Sequence, residues 1–110
     1  MTIEELSIET FIRERADAIV IDVREVDEYV GGHIPGAINI PLSIVADSVH
    51  LFSPYPRIFV VCQVGGRSMR ACEFLAAQDE CSNIKLFNVA GGTAAWIVSG
   101  HEVVTGDQPN

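Results

Sequence analysis

Cys62 stands where an apolar run, Ile58 to Val61, stops. Gln63, Val64, Gly65, Gly66, Arg67 and Ser68 follow, and a segment with helical spacing opens at Ser68. Adjacent glycines reach backbone conformations closed to other residues. Such a turn can aim successive N–H groups at one point and form an anion-binding nest. The following helix adds unsatisfied N–H groups and the positive end of its dipole. Arg67 contributes a cation at the rim, or hydrogen bonds that hold the loop. All of these favour a thiolate over a thiol, and the thiolate is the nucleophile. They equally stabilise an anion attached to that sulfur. The chemistry expected is nucleophilic catalysis by an activated cysteine that needs no neighbouring histidine. The competing reading is a core cysteine followed by a tight turn. The combination of strand, Cys, Gly-Gly, Arg, Ser and helix outweighs it.

Such a loop needs a strand before it and a helix after it, and the chain supplies both repeatedly. "AIVIDV" (18–23), "RIFVVC" (57–62) and "NIKLFNV" (83–89) read as buried strands, with "AINI" (37–40) as a short one. Ser7 can cap a helix with Ile8, Phe11 and Ile12 on one face. "EVDEYV" (25–30) reads as one or two helical turns, and "GGHIPGA" (31–37) as a turn-rich loop. Ser43 is expected to open one helix carrying Val45, Val49 and Phe52, closed by Pro54 and Pro56. Further helices are expected over 68–79 and 93–99. Strands alternating with helices imply crossover connections and a parallel sheet covered on both faces, an α/β fold. Ligands bind beyond the carboxyl ends of strands in such sheets, which is where Cys62 falls.

The bulk composition narrows the partners. The 110 residues suit one domain with one core. Hydrophobic residues make up 48% and charged residues 20%, as in globular chains. The formal charge of −8, with Lys85 the sole lysine, disfavours nucleic acid and anionic membrane surfaces. No apolar run approaches the roughly 20 residues that span a bilayer. The opening "MTIEELSIET" lacks the basic and apolar regions of a signal peptide, so a cytoplasmic location is expected. Cysteines at 62, 72 and 81 form neither a disulfide framework nor a metal-binding pattern.

"CQVGGRS" (62–68) resembles the active-site loop of the rhodanese-like sulfurtransferases, C-x-x-G-x-R-[ST]. "IDVREVDEYVGGHIPGAINIP" (21–41) resembles their amino-terminal signature, and "NVAGGTAAWIVSGHEV" (88–103) their carboxyl-terminal one. The resemblance implies a rhodanese-like fold: a five-stranded parallel sheet flanked by helices on both faces. One domain is expected over 1–104, with a flexible tail at 105–110. Cys62 would take the outer sulfur of a donor such as thiosulfate, hold it as a persulfide and pass it to cyanide or a thiol. Gln63, Val64, Gly65, Gly66, Arg67 and Ser68 would form the persulfide-binding loop. Asp22 and Arg24, matching the signature's D-x-R, would support it, more as a structural ion pair than as reactants. No metal or organic cofactor is implied. A protein persulfide donor or acceptor is the macromolecular version of the same chemistry, and a monomer is expected.

Two rivals remain. Cdc25-type phosphatases share this fold, but their loop holds one residue more between Cys and Arg, a wider cradle suited to phosphate. Non-catalytic rhodanese-like modules often lack the cysteine, which this chain keeps. The remaining candidates read mostly as structure. His33 is expected to bond backbone in its turn. Cys72 falls on the apolar stripe of its helix, and Cys81 lies past the helix end with an exposed position open to it. Glu28 aligns with the family's acidic position, on a face expected to be solvated. Trp96 is expected to pack the last helix onto the sheet.

Overall fold

The alternating elements expected from the sequence are present, together with one that was not. The computed structural model describes residues 2–110. In chain order its strands are β1 (Thr2–Leu6), β2 (Ile19–Asp22), β3 (Ile38–Asn39), β4 (Arg57–Val61) and β5 (Lys85–Val89). The helices are α1 (Ile8–Glu14), α2 (Val26–Gly31), α3 (Leu42–Val45), α4 (Val49–Phe52), α5 (Gly66–Ala76) and α6 (Gly92–Val98), with a 3-10 turn at Asp79–Cys81. The five strands are all parallel, in the order β1-β5-β4-β2-β3.

Side chains alternate across this sheet with the two-residue period of a strand. Ile58 and Val60 of β4 face one apolar cluster, which α3, α4 and α5 cover with Val45, Phe52, Ala71 and Leu75. Phe59 and Val61 face the other, which α1, α2 and α6 cover with Phe11, Tyr29 and Trp96. Burial on both faces explains why β4 reads as an unbroken apolar run. Ser7 caps α1 by accepting from the Thr10 N–H at 3.2 Å, as its position suggests.

Three expectations need correction. β1 was not anticipated: only Ile3 and Leu6 of it pack against the clusters, while Glu4 and Glu5 are exposed. The single helix expected from Ser43 is two one-turn helices. Asp47 and Ser48 N–H groups bond three residues back, to Ile44 and Val45, which tightens and ends α3. Ser43 does not cap it; Pro41 holds that position, and the Ser43 hydroxyl donates to Glu25 at 3.0 Å. α5 begins at Gly66, so Arg67 belongs to its first turn. Residues of the tail 105–110 hydrogen-bond to the end of α2 and to the loop that follows it. Gly106 N–H donates to Val30 O at 2.9 Å, Gly36 N–H donates to Pro109 O, and His33 Nε2 lies 2.9 Å from Gln108 O.

Candidate active site

β4 carries the chain out of the sheet and releases it at Cys62, whose residue is 1% exposed. The loop then reverses through Gly65, at φ +113°, into α5. An L side chain rarely takes that conformation, so glycine is required there. The reversal brings the Gly65 N–H to 3.1 Å from Cys62 Sγ and the Ser68 hydroxyl to 3.3 Å. Burial pushes the Cys62 thiol up. Hydrogen bonds from the Ser68 hydroxyl and the backbone of Ser68, Gly65 and Val64 outweigh it, and the net direction is down.

α6 fixes the other side of the loop. Thr93 N–H and Oγ1 donate to Cys62 O at 2.9 and 3.1 Å, and Ala94 N–H donates to Gln63 O at 3.0 Å. Gly92, at φ +57°, makes this approach possible, since a Cβ there would stand 2.4 Å from Cys62 O. The first loop carbonyls are thus bound by a helix terminus, and the sulfur is left facing N–H groups.

The charged candidates lie around this loop. Arg24 Nε and Nη2 bind the Asp22 carboxylate at 2.9 to 3.1 Å, both residues being buried. Arg24 Nη1 also reaches Gln63 Oε1 at 3.2 Å and so braces the loop. Asn39 was not singled out from the sequence, yet its Nδ2 donates to the carbonyls of Asp22 and Arg24 at 3.0 and 2.9 Å.

Glu28 is not merely solvated. Its carboxylate accepts from Arg67 Nη1 and Nη2, at 2.6 and 2.9 Å. That hydrogen-bonded pairing, against a smaller opposing effect of burial, holds its carboxyl down at about 2. The folded value lies below the unfolded one, so any stability from this link is complete above the ordinary carboxylate range. It disappears as the pH falls through about 2. A carboxyl-carbon NMR titration of Glu28 is expected to show a midpoint near 2, and a midpoint above 4 would mean the link is absent in solution. Both arginines that reach the loop are therefore neutralised by carboxylates, and the sulfur's cradle is made of backbone N–H groups and the Ser68 hydroxyl.

The remaining candidates lie elsewhere. His33 is fully buried, stacked on Tyr29 at 3.7 Å between ring centroids, with Nδ1 2.9 Å from Tyr29 O. Cys72 is a core residue, and burial pushes its thiol up to about 12. Cys81 is buried, contrary to the exposed position considered for it, because the 3-10 turn folds it inward against the same cluster. Trp96 packs α6 onto the sheet beside Phe11. A cleft of about 390 Å³ lined by Ser53, Tyr55, Glu80 and Ile84 lies at the opposite, amino-terminal ends of β4 and β5. Like Asn39, one further contributor was missed. Asn88, in the buried strand β5, meets Ser68 through its Oδ1 and Glu5 through its Nδ2, the latter at 3.1 Å. A polar residue inside the apolar run "KLFNV" was the available signal, because such a group must find partners.

Known proteins resemble this chain in sequence and in fold. The chain is 33% identical over 92 residues to the thiosulfate sulfurtransferase GlpE of Pseudomonas entomophila, covering 83% of this chain and 82% of that one. It is 32% identical over 99 residues to the Bacillus subtilis protein YrkF, covering 86% of this chain but 51% of YrkF, about half of that relative's length. A rhodanese-related protein from Thermoplasma volcanium superposes with a TM-score of 0.83 at 29% identity, covering 94% of this chain and 99% of that one. The rhodanese-like domain family matches residues 9–99, from the first helix to the end of the last, and the chain belongs to that family.

Proposed function

We propose that this protein is a sulfurtransferase in which Cys62 takes a sulfane sulfur from a donor and passes it to a thiophilic acceptor. The observation that carries this reading is the placing of Cys62 Sγ against the Gly65 N–H and the Ser68 hydroxyl. In the first step the thiolate attacks the donor's outer sulfur. The donor's S–S bond breaks, its electron pair departs with the remainder (sulfite, if the donor is thiosulfate), and an Sγ–S bond forms. In the second step the acceptor's lone pair attacks the outer sulfur, and Cys62 leaves as thiolate. The cradle stabilises the charge in both states, which suits a two-step exchange. A loop with four residues between Cys62 and Arg67 suits a sulfur atom better than a phosphoryl group.

Donor preference follows from charge. The arginines at the loop are paired with carboxylates, and the chain carries −8 overall. A dianion such as thiosulfate gains no steering from this surface. A neutral or protein-borne persulfide fits better, with modest turnover of thiosulfate.

The test is the intact mass after incubation with thiosulfate and desalting without reductant. A gain of one sulfur atom, removed by cyanide, is expected. Where thiosulfate gives no gain, a cysteine desulfurase with cysteine is the second donor. Failure with both would overturn the reading and leave a binding module.

A further inference from the structure

The Ser68 hydroxyl has one proton and three acceptors near it: Cys62 Sγ at 3.3 Å, Gly65 O at 3.1 Å and Asn88 Oδ1 at 2.5 Å. Gly65 O already accepts from Met69 N–H and from Asn88 Nδ2, each at 3.2 Å, so its two lone pairs are engaged. The contest for the proton is between the sulfur and Asn88. The amide of Asn88 cannot turn to avoid it. Its Nδ2 faces two acceptors, Glu5 Oε2 and Gly65 O, and the flipped amide would set oxygen against both.

We propose that Asn88 is a positioning residue for Cys62, its carbonyl oxygen competing with the sulfur for the single proton of Ser68. With that proton on Asn88, the Ser68 oxygen offers lone pairs to Sγ, which suits a thiol S–H. When Cys62 ionises, the hydroxyl must leave Asn88 to serve the thiolate. In the persulfide the charge moves to the outer sulfur, Sγ needs the proton less, and the hydroxyl returns to Asn88. Asn88 thus opposes the bare thiolate and favours the sulfur-loaded state. It also keeps the thiolate more nucleophilic, since nucleophilicity falls as a thiol becomes more acidic.

The charged and titratable groups around this contest come from every neighbouring element. They are Glu5 on β1, Asp22 with Arg24 at the end of β2, Glu28 on α2, and Arg67 and Cys72 on α5. The two arginines and their carboxylates are paired with one another, and Glu5 acts through Asn88 itself.

The proposal deepens the sulfurtransferase reading by adding a control on the same cysteine. Its test uses alkylation rather than sulfur transfer, so either can fail alone. The readout is the pH midpoint of iodoacetamide alkylation at Cys62, located by peptide mass. Asn88→Leu is expected to lower the midpoint by about 0.5–1 pH unit, one neutral hydrogen bond's worth. Asn88→Asp, of the same volume, is expected to raise it. In a Ser68→Ala background the Leu shift should vanish and the Asp shift should shrink. An unchanged or raised midpoint in Asn88→Leu overturns the proposal, as do shifts that persist in full without Ser68. If Asn88→Leu does not fold, the Asp pair decides alone.

Discussion

Cys62→Ser will abolish sulfur transfer, by on the order of 10³-fold or more, as removal of a nucleophile does elsewhere. The cradle survives the change. Its carbonyls stay bound by Thr93 and Ala94, and Gly65 keeps its conformation. Oxygen in place of sulfur changes little volume, so thermal stability should move by only a few degrees. What disappears is a group that ionises readily and forms a bond to sulfur. Neither remaining cysteine can substitute. Cys72 is fully buried with its thiol pushed up to about 12, and Cys81 is buried with its thiol also raised. The check is the rate of thiocyanate formation from thiosulfate and cyanide, alongside a melting curve. Retention of more than a tenth of the rate would move the chemistry to another residue.

Gly92→Ala carries the second large effect, and it comes from outside the loop. The added Cβ would stand 2.4 Å from Cys62 O, 2.7 Å from Gln63 O and 2.8 Å from the Gln63 carbonyl carbon. All three are backbone atoms, so no side chain can swing aside. The left-handed φ of +57° adds strain for any residue with a Cβ. Overpacking and strain together are expected to cost about 2–4 kcal/mol. Relief requires the loop to move off α6, which carries the sulfur away from its N–H groups. Displacements near 1 Å reduce catalysis by about 10²-fold. Urea unfolding and the transfer rate should therefore both fall. Gly31→Ala is the contrast, because nothing lies within 4 Å of its would-be Cβ and its φ is not positive. A Gly92→Ala protein with full stability and full rate would contradict the packing described here.

The legible parts of the sequence are those whose cause is local. β2, β4 and β5 are buried on both faces, so runs made mostly of Val, Ile, Leu and Phe announce them. The loop glycines and Cys62 were legible because a turn into a helix has a chemistry of its own. β1 was not, because an edge strand pairs on one side only and its exposed Glu4 and Glu5 hide the period of two. The break between α3 and α4 escaped notice because Val45, Val49 and Phe52 keep helical spacing across it. Glu28 and Asn88 depend on partners 39 and 20 residues away in the chain, and no local pattern encodes such a meeting. Asn88 at least betrayed itself as a polar residue in an apolar strand. The bonds of the tail gave no signal, since "TGDQPN" has the composition of a loose end and its partners are the backbone of Val30 and Gly36 and the ring of His33.

The helix that seats the loop comes late in the chain. Thr93 lies 31 residues after Cys62, and Asn88 joins Glu5 across 83 residues. Synthesis adds about 5–20 residues each second, so Cys62 leaves the ribosome seconds before the groups that restrain it. During that interval its thiol is an ordinary one, neither cradled nor sharpened, and the nascent chain has no more claim on sulfur than any other cysteine-bearing peptide. Under the proposed function, reactivity would arrive with α6, and activity would report that the fold has closed around the loop.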